Sequence, residues 1–338
     1  MTLLKTYKYN NVSYSTELDF KNQTVKFSID NPKKQNPPES IYKYFSLNEF
    51  SLDAFINHYF FSSHPMKLND KYDCAGELID YSNLSLDTFI NHLSKELGLF
   101  SPDKIVDLYN SDNRWVLDRS TADLYHIRLF MKFGLISFTE DPKNTLMWAH
   151  YAQNSGFVLK MKISLLPKDF FGPFPINYCE KLNKIDFSKY DPSLCILYQS
   201  NVKQNVWEYE NEWRYLTYNK EGKYHPFYSG SDLGSRKFYY NPNTIEEIIL
   251  GYDFFNPKEI DFNKRTPDYD IINLSNKKSK ENRKYKRKLL DFIVRNGISS
   301  YQVIRNRFSY LLDVKEIKIE KISPNIFKVF NSFKQIND

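Results

Sequence analysis

The chain has little cysteine and little glycine. Its 338 residues include only Cys74, Cys179 and Cys195, too few and too scattered for a disulfide framework. With no C-x-x-C pair among them, a cysteine-based zinc site is disfavoured. None of the 10 glycines belongs to a glycine-rich phosphate loop, and there is neither a G-x-S-x-G elbow nor an H-E-x-x-H helix. These absences argue against a P-loop nucleotide hydrolase, an α/β-hydrolase and a helix-borne zinc protease. No apolar run approaches the length of a membrane helix, and Met1 to Lys8 hold no signal-peptide stretch. The expectation is a soluble protein of the reducing cytoplasm with no membrane partner.

Aromatic residues are abundant instead, with 26 Tyr and 27 Phe. The net charge of +6 is a mild excess, compatible with an anionic partner without requiring one. Such a length buries a substantial core. Residues 1–36 read as a β-hairpin extension and a proline-bearing linker, and 37–338 as one α+β core domain with a basic insert around 274–288. Within the core, Ile41 to Phe45, Tyr59 to Ser62, Glu212 to Tyr218 and Ile245 to Gly251 read as strands, and Lys315 to Ile322 with Ile326 to Phe330 as a closing hairpin. Ser46-Leu47-Asn48 followed by Glu49 offers a helix cap, and Cys195 to Tyr209 reads as a helix.

The chain is organised around Phe133 to Ile163. Leu135, Ile136 and Phe138 form a compact apolar run, Pro142 and Asn144 break it, and Gly156 turns the chain into Phe157 to Ile163. Between the two strands, Met147-Trp148-Ala149-His150-Tyr151 is dense in large and ionisable groups. It reads either as a pocket wall or as a helix whose Trp148 and Tyr151 pack on the sheet.

Several residues have the chemistry of a site. Lys43, between aromatics on a strand, suits a phosphate or carboxylate. Asn69, Asp70 and Asp73 could hold Mg²⁺ or a ribose, or close an Asx-turn on their own backbone. His150 suits acid–base work or a structural place beside Trp148. Glu208, Glu210, Glu212 and Arg214 are the densest ionic group. They share one face if the segment is a single strand, and meet at a junction if a helix ends near Tyr209. A carboxylate beside Arg214 is held ionised and oriented, either for catalysis or as a lock. The basic run 277–288 suits nucleic-acid phosphates or a solvated helix entry.

Taken in order, these pieces resemble a family of proteins known as domain of unknown function 2971. The likeness is carried by Tyr42-Lys43-Tyr44, Asn69-Asp70-Lys71-Tyr72-Asp73, Phe138 with Met147 to Tyr151 and Gly156, and Pro175 to Tyr178. It continues through Lys203, Trp207, Glu210 and Glu212-Trp213-Arg214 to Ile248 to Gly251. A second resemblance is to the ADP-ribosyltransferase fold. It implies a split, twisted, mostly antiparallel sheet flanked by helices and NAD as substrate. In that fold's terms Lys43 or Tyr44 stands at the first-strand position, Ser62 near the second, and Glu212 opens the later strand as the catalytic carboxylate.

The expectation is therefore an NAD-consuming ADP-ribosyltransferase or glycohydrolase, serving as a toxin or anti-phage effector. Glu212, His150 and Lys43 are the catalytic candidates. Tyr44, Ser62, Asn69, Asp70, Trp148, Tyr151, Glu210 and Arg214 are the candidates for holding the nucleotide. A rival is a nucleic-acid-binding or Mg²⁺-dependent nuclease using Asp70, Asp73 and Glu212 with the basic run. Another is a non-catalytic nucleotide sensor with the same cleft.

Overall fold

The computed structural model describes residues 2–168, 170–218, 236–275, 280–306, 309 and 311–331. Ten strands make one large sheet. From edge to edge they are Tyr269–Asn273, Ile326–Phe330, Leu312–Ser323, Ser299–Arg305, Ile245–Leu250, Phe157–Lys162, Ser40–Phe45, Phe133–Thr139, Glu212–Tyr218 and Phe171–Pro175. Every neighbouring pair is antiparallel except Ile245–Leu250 with Ser299–Arg305. A parallel pair needs a crossover, and here the connection carries the helix Lys280–Asn296. The α+β architecture and the mostly antiparallel sheet match expectation.

The sheet is split at its middle. Ser40–Phe45 pairs with Phe157–Lys162 along all six residues but touches Phe133–Thr139 through one pair, Tyr42↔Thr139. Further along, Ser63 bridges Leu135, so a loop replaces the missing strand neighbour and a gap opens between.

Strand side chains alternate between faces. One face buries Ile136, Phe138, Leu159, Met161, Tyr215 and Ile248 under Phe55 of the helix Glu49–Ile56 and Leu289 of the helix Lys280–Asn296. The other carries two separate apolar cores. Trp148, Val158, Ile249 and Val303 form one; Leu135, Leu216 and the helix Pro192–Gln199 belong to the second. The polar members of the same strands, Ser137, Thr139, Glu212 and Arg214, fall between them.

The N-terminal extension is three strands rather than a hairpin: Thr2–Tyr9, Val12–Asp19 and Thr24–Asp30. The additional turn is Asn10-Asn11, at φ 51° and 63°, the left-handed conformation that asparagine tolerates in a two-residue hairpin loop. Val12 and Tyr14 are buried, and Tyr14 meets Tyr198 edge-on at 5.3 Å, so the extension shares a core with the helix Pro192–Gln199.

The expected helix Cys195 to Tyr209 is also corrected. The helix ends at Gln199, Val202–Gln204 is a short strand beside Asn177–Cys179, and Asn205–Glu210 is a 3-10 turn. Strand pairing at Tyr178↔Lys203 prevails over the helical spacing of the apolar residues. The basic run is partly internal: Arg283 and Lys286 are buried, and Lys286 Nζ lies 2.7 Å from Glu259. Residues 277–279 of that run lie outside the described residues. Among the described residues no helix is long and apolar enough to cross a membrane.

Gly156 explains how the helix Thr145–Ala152 turns back into the sheet. A Cβ there would lie 2.0 Å from the carbonyl oxygen of Phe45 and 2.8 Å from that of Ala152. Both obstacles are backbone and cannot rotate away. Gly156→Ala is expected to cost more than about 2 kcal/mol, read as a lower urea midpoint at unchanged slope. A midpoint within error of the parent would show that the turn relaxes freely.

Candidate functional site

The ionic segment is a junction. The 3-10 turn Asn205–Glu210 is followed by Asn211 in the left-handed region at φ 46°, and then by the strand Glu212–Tyr218. The turn swings Glu210 beside Glu212 while Glu208 stays exposed. On the strand, Glu212 and Arg214 share a face with Thr139 and Ser137, their cross-strand partners.

Arg214 is 1 % exposed and uses its whole guanidinium fork. Nη1 and Nη2 donate to the two oxygens of Asp73 at 2.8 and 2.9 Å, Nε and Nη2 donate to Glu212 at 2.9 Å each, and Nη1 also reaches the Ser200 carbonyl at 2.7 Å. Lys203 is buried beside it. Its Nζ donates to Glu210 at 2.6 Å and Glu212 at 3.2 Å and lies 3.7 Å from Asp73. Such fully hydrogen-bonded pairing is what makes buried charge tolerable. Asp73, Glu210 and Glu212 against Lys203 and Arg214 leave this wall one carboxylate in excess.

The two neighbouring glutamates are pushed in opposite directions. Burial raises the Glu212 pKa, but Arg214 and Lys203 outweigh it and hold the carboxyl at about 2. Burial raises the Glu210 pKa too; the Glu212 charge adds to that rise, and Lys203 opposes it without cancelling it. Glu210 also accepts from the Tyr151 hydroxyl at 2.5 Å, and Asn69 donates to that hydroxyl at 3.2 Å. Burial, then the Glu210 charge, raises the Tyr151 pKa.

These groups form the end wall of a cavity of about 240 Å³ at the split in the sheet. Lys43 enters from Ser40–Phe45. Its Nζ donates to the Ser137 carbonyl, exposed by the gap, at 2.9 Å, and lies 5.3 Å from the Phe138 ring centre. Burial lowers its pKa to about 8, with Glu212 opposing.

Of the predicted residues, Lys43, Tyr44, Asn69, Tyr151, Glu210, Glu212 and Arg214 all line this cavity. Four do not. Trp148 is fully buried in the core beside Val158, with its indole N–H on the Pro142 carbonyl at 2.8 Å. His150 is exposed. Helix phase explains both, since Met147 and Tyr151, four residues apart, face the cavity, which turns Trp148 to the core and His150 to the outside. Ser62 is buried, its hydroxyl 2.5 Å from that of Thr217, and the cavity-lining residue is Ser63. Asp70 closes an Asx-turn on the Tyr72 N–H at 2.9 Å and lines a different cavity.

Two residues were undervalued by sequence reasoning, Asp73 and Lys203. The one is 141 positions from its partner Arg214. Lys203 is read as helical until the strand Val202–Gln204 is seen.

Residues 147–215 match the model of a family described as protein of unknown function (DUF2971). The matched stretch contains Tyr151, Lys203, Glu210, Glu212 and Arg214. No curated protein and no solved structure matches the chain.

The ionic wall predicts two stability effects. Arg214→Lys cannot reproduce a fork shared by Asp73, Glu212 and Ser200 and is expected to cost about 3–5 kcal/mol in urea unfolding; a cost near zero would contradict the lock. Glu212 has a depressed folded-state pKa, so its contribution is full above 4.5 and is lost as pH falls toward about 2. That contribution is about 3 kcal/mol. Glu212→Gln should therefore lose less stability than the parent across that interval, although it is less stable at neutral pH. Parallel pH profiles for the two proteins would exclude Glu212 as the group responsible.

Proposed function

We propose that the split in the sheet binds a ribose-bearing nucleotide and cleaves its N-glycosidic bond, with NAD as substrate, on an ADP-ribosyltransferase-like fold. The observation that carries this reading is the pair Glu210 and Glu212 on one cavity wall with environments that push their pKa values apart. Such a split separates a carboxylate held ionised from one whose pKa is raised by burial and by its neighbour's charge. The split sheet itself supports the fold reading.

In this mechanism nicotinamide departs neutral, taking the bonding pair from the ribose C1′, and positive charge develops on the sugar. The Glu212 carboxylate stabilises it, fixed by Arg214 and Lys203 so that no reorganisation is needed. A water oxygen then bonds to C1′ and its proton passes to Glu210. Glu210's raised pKa makes it a better base than an ordinary carboxylate, and Tyr151 and Lys203 hold it in place. Lys43 faces the anionic part of the substrate, and Asn69 a ribose hydroxyl. A cavity of about 240 Å³ suits the nicotinamide-riboside end more than a whole dinucleotide. Consumption of NAD is a chemistry suited to a toxin or anti-phage effector.

The Mg²⁺-nuclease reading has less support. Both oxygens of Asp73 and both of Glu212 accept from Arg214, so a divalent ion would have to displace a guanidinium.

Purified protein incubated with NAD should release nicotinamide. Glu210→Gln should lower the rate about a hundredfold or more while urea unfolding shows a folded protein. The rate should rise with pH on an acid limb lying above the ordinary carboxylate range, because Glu210 acts ionised and its pKa is raised. It should fall above about 8 as Lys43 loses its proton, and Lys43→Arg should remove that alkaline limb. NAD binding without nicotinamide release would favour the sensor reading and overturn this one.

A further inference from the structure

The lysines buried in this chain are matched by carboxylates. Lys203 Nζ lies 2.6 Å from Glu210, and Lys286 Nζ 2.7 Å from Glu259. Lys43 differs. Among the described residues it forms no ion pair, and its Nζ donates to the neutral carbonyl of Ser137. The ring centres of Phe45 and Phe138 lie 5.8 and 5.3 Å from that nitrogen. The side chain is only half-buried and lines the cavity at the split in the sheet, so a ligand there can reach it. An ammonium set against apolar rings without a counter-charge gives up its proton more readily, and a lysine amine becomes a nucleophile on that condition. Burial holds its pKa at about 8 against the pull of Glu212. At pH 7 about a tenth of such an amine is neutral, against fewer than about one in a thousand for an ordinary lysine.

The charged groups facing it come from other elements: Asp73, Lys203, Glu210, Glu212 and Arg214, with Tyr151 from the helix Thr145–Ala152. Asp73, Lys203, Glu212 and Arg214 are engaged with one another. Glu210 accepts from Tyr151 at 2.5 Å, and burial raises its pKa, so it can pass protons. Asn69, bonded to the same hydroxyl at 3.2 Å, and Tyr151 itself are side chains that hydrogen-bond hydroxyl groups. A nucleophilic amine, a proton-passing carboxyl and hydroxyl-binding groups around about 240 Å³ match a small aldehyde flanked by hydroxyls.

We infer that Lys43 forms a reversible imine with a short hydroxyaldehyde, the open-chain form of a small sugar, inside this cavity. The lone pair of the neutral amine bonds to the carbonyl carbon as the carbonyl π pair moves to oxygen. One proton passes from that nitrogen to the oxygen, giving a carbinolamine. A proton from Glu210, replaced from solvent, releases the hydroxyl as water, and the nitrogen lone pair closes the C=N bond. The resulting iminium carries the same single positive charge as the ammonium form of Lys43, so the Glu212 carboxylate favours it in the same way. This is a second chemistry of the cavity and does not rest on the N-glycosidic reading, in which Lys43 faces the anionic part of the nucleotide rather than C1′.

The test incubates the full chain with D-glyceraldehyde, which cannot close a sugar ring, and sodium cyanoborohydride, whose hydride reduces the C=N bond to a stable secondary amine. Peptide mass spectrometry reads the adduct at each lysine. At pH 7 Lys43 should be labelled at least about tenfold faster than exposed lysines such as Lys189, and its rate should saturate with aldehyde concentration. Labelling of Lys43 should level off above about pH 8, where that of exposed lysines goes on rising. Asn69→Ala should raise the half-saturating concentration about fivefold with the maximal rate retained. Lys43→Arg keeps the charge and should lose the fast adduct while urea unfolding shows a folded protein. Labelling of Lys43 no faster than that of Lys189, or a rate that climbs linearly with aldehyde, would overturn the assignment. Saturable labelling in a protein that releases no nicotinamide from NAD would uphold the imine and refute the N-glycosidic reading. Nicotinamide release without saturable labelling would do the reverse.

Discussion

The structure depends on a guanidinium held between two carboxylates inside a sheet. Arg214 is buried with every arm of its fork engaged. Removing such a group from water is tolerable only when geometry supplies all the replacement hydrogen bonds. That requirement fixes the surroundings. Asp73 must come from a loop, Glu212 from the same strand, and the Ser200 carbonyl from the end of a helix. Lys203 enters because three carboxylates now crowd one another. The cavity is the space left where these polar groups interrupt two apolar cores and where the Lys43 strand parts from its neighbour.

The strand that bears this interaction was legible in sequence. Glu212 and Arg214 are two residues apart on a strand with aromatic neighbours, so a shared face follows from backbone periodicity alone. The large sheet, its closing hairpin and the capped helix after Asn48 follow from apolar alternation and cap chemistry. The sequence also leaves a strand and a junction as alternatives for residues 208–214; the left-handed Asn211 decides for the junction, and a left-handed residue is not evident from one asparagine among many.

Less legible was anything depending on phase or distance. Met147 to Tyr151 is a helix in which one residue of rotation exchanges pocket and core, so Trp148 and Tyr151 take opposite roles although both are large aromatics. Ser62 and Ser63 exchange in the same way where a strand ends. Asp73 looks like one more acidic loop residue, because nothing local shows which cation it will meet. The N-terminal strands were read as an appendage, since the edge-on ring contacts of Tyr7 and Tyr14 with Tyr198 join residues far apart in the chain.

The pairing of Arg214 with Asp73 also bears on the order in which the molecule assembles. It closes a loop of 141 residues, and contacts of that span form late because their closure entropy must be met before any gain is realised. Until then the only carboxylate on Arg214 is that of Glu212, and withdrawing the guanidinium from water is unfavourable. The strand bearing it can dock fully only once the loop bearing Asp73 has arrived. Since that loop also lines the cavity at the split in the sheet, the cavity does not exist before this step. A chain that has its sheet but not this ion pair would have hydrophobic cores and no site.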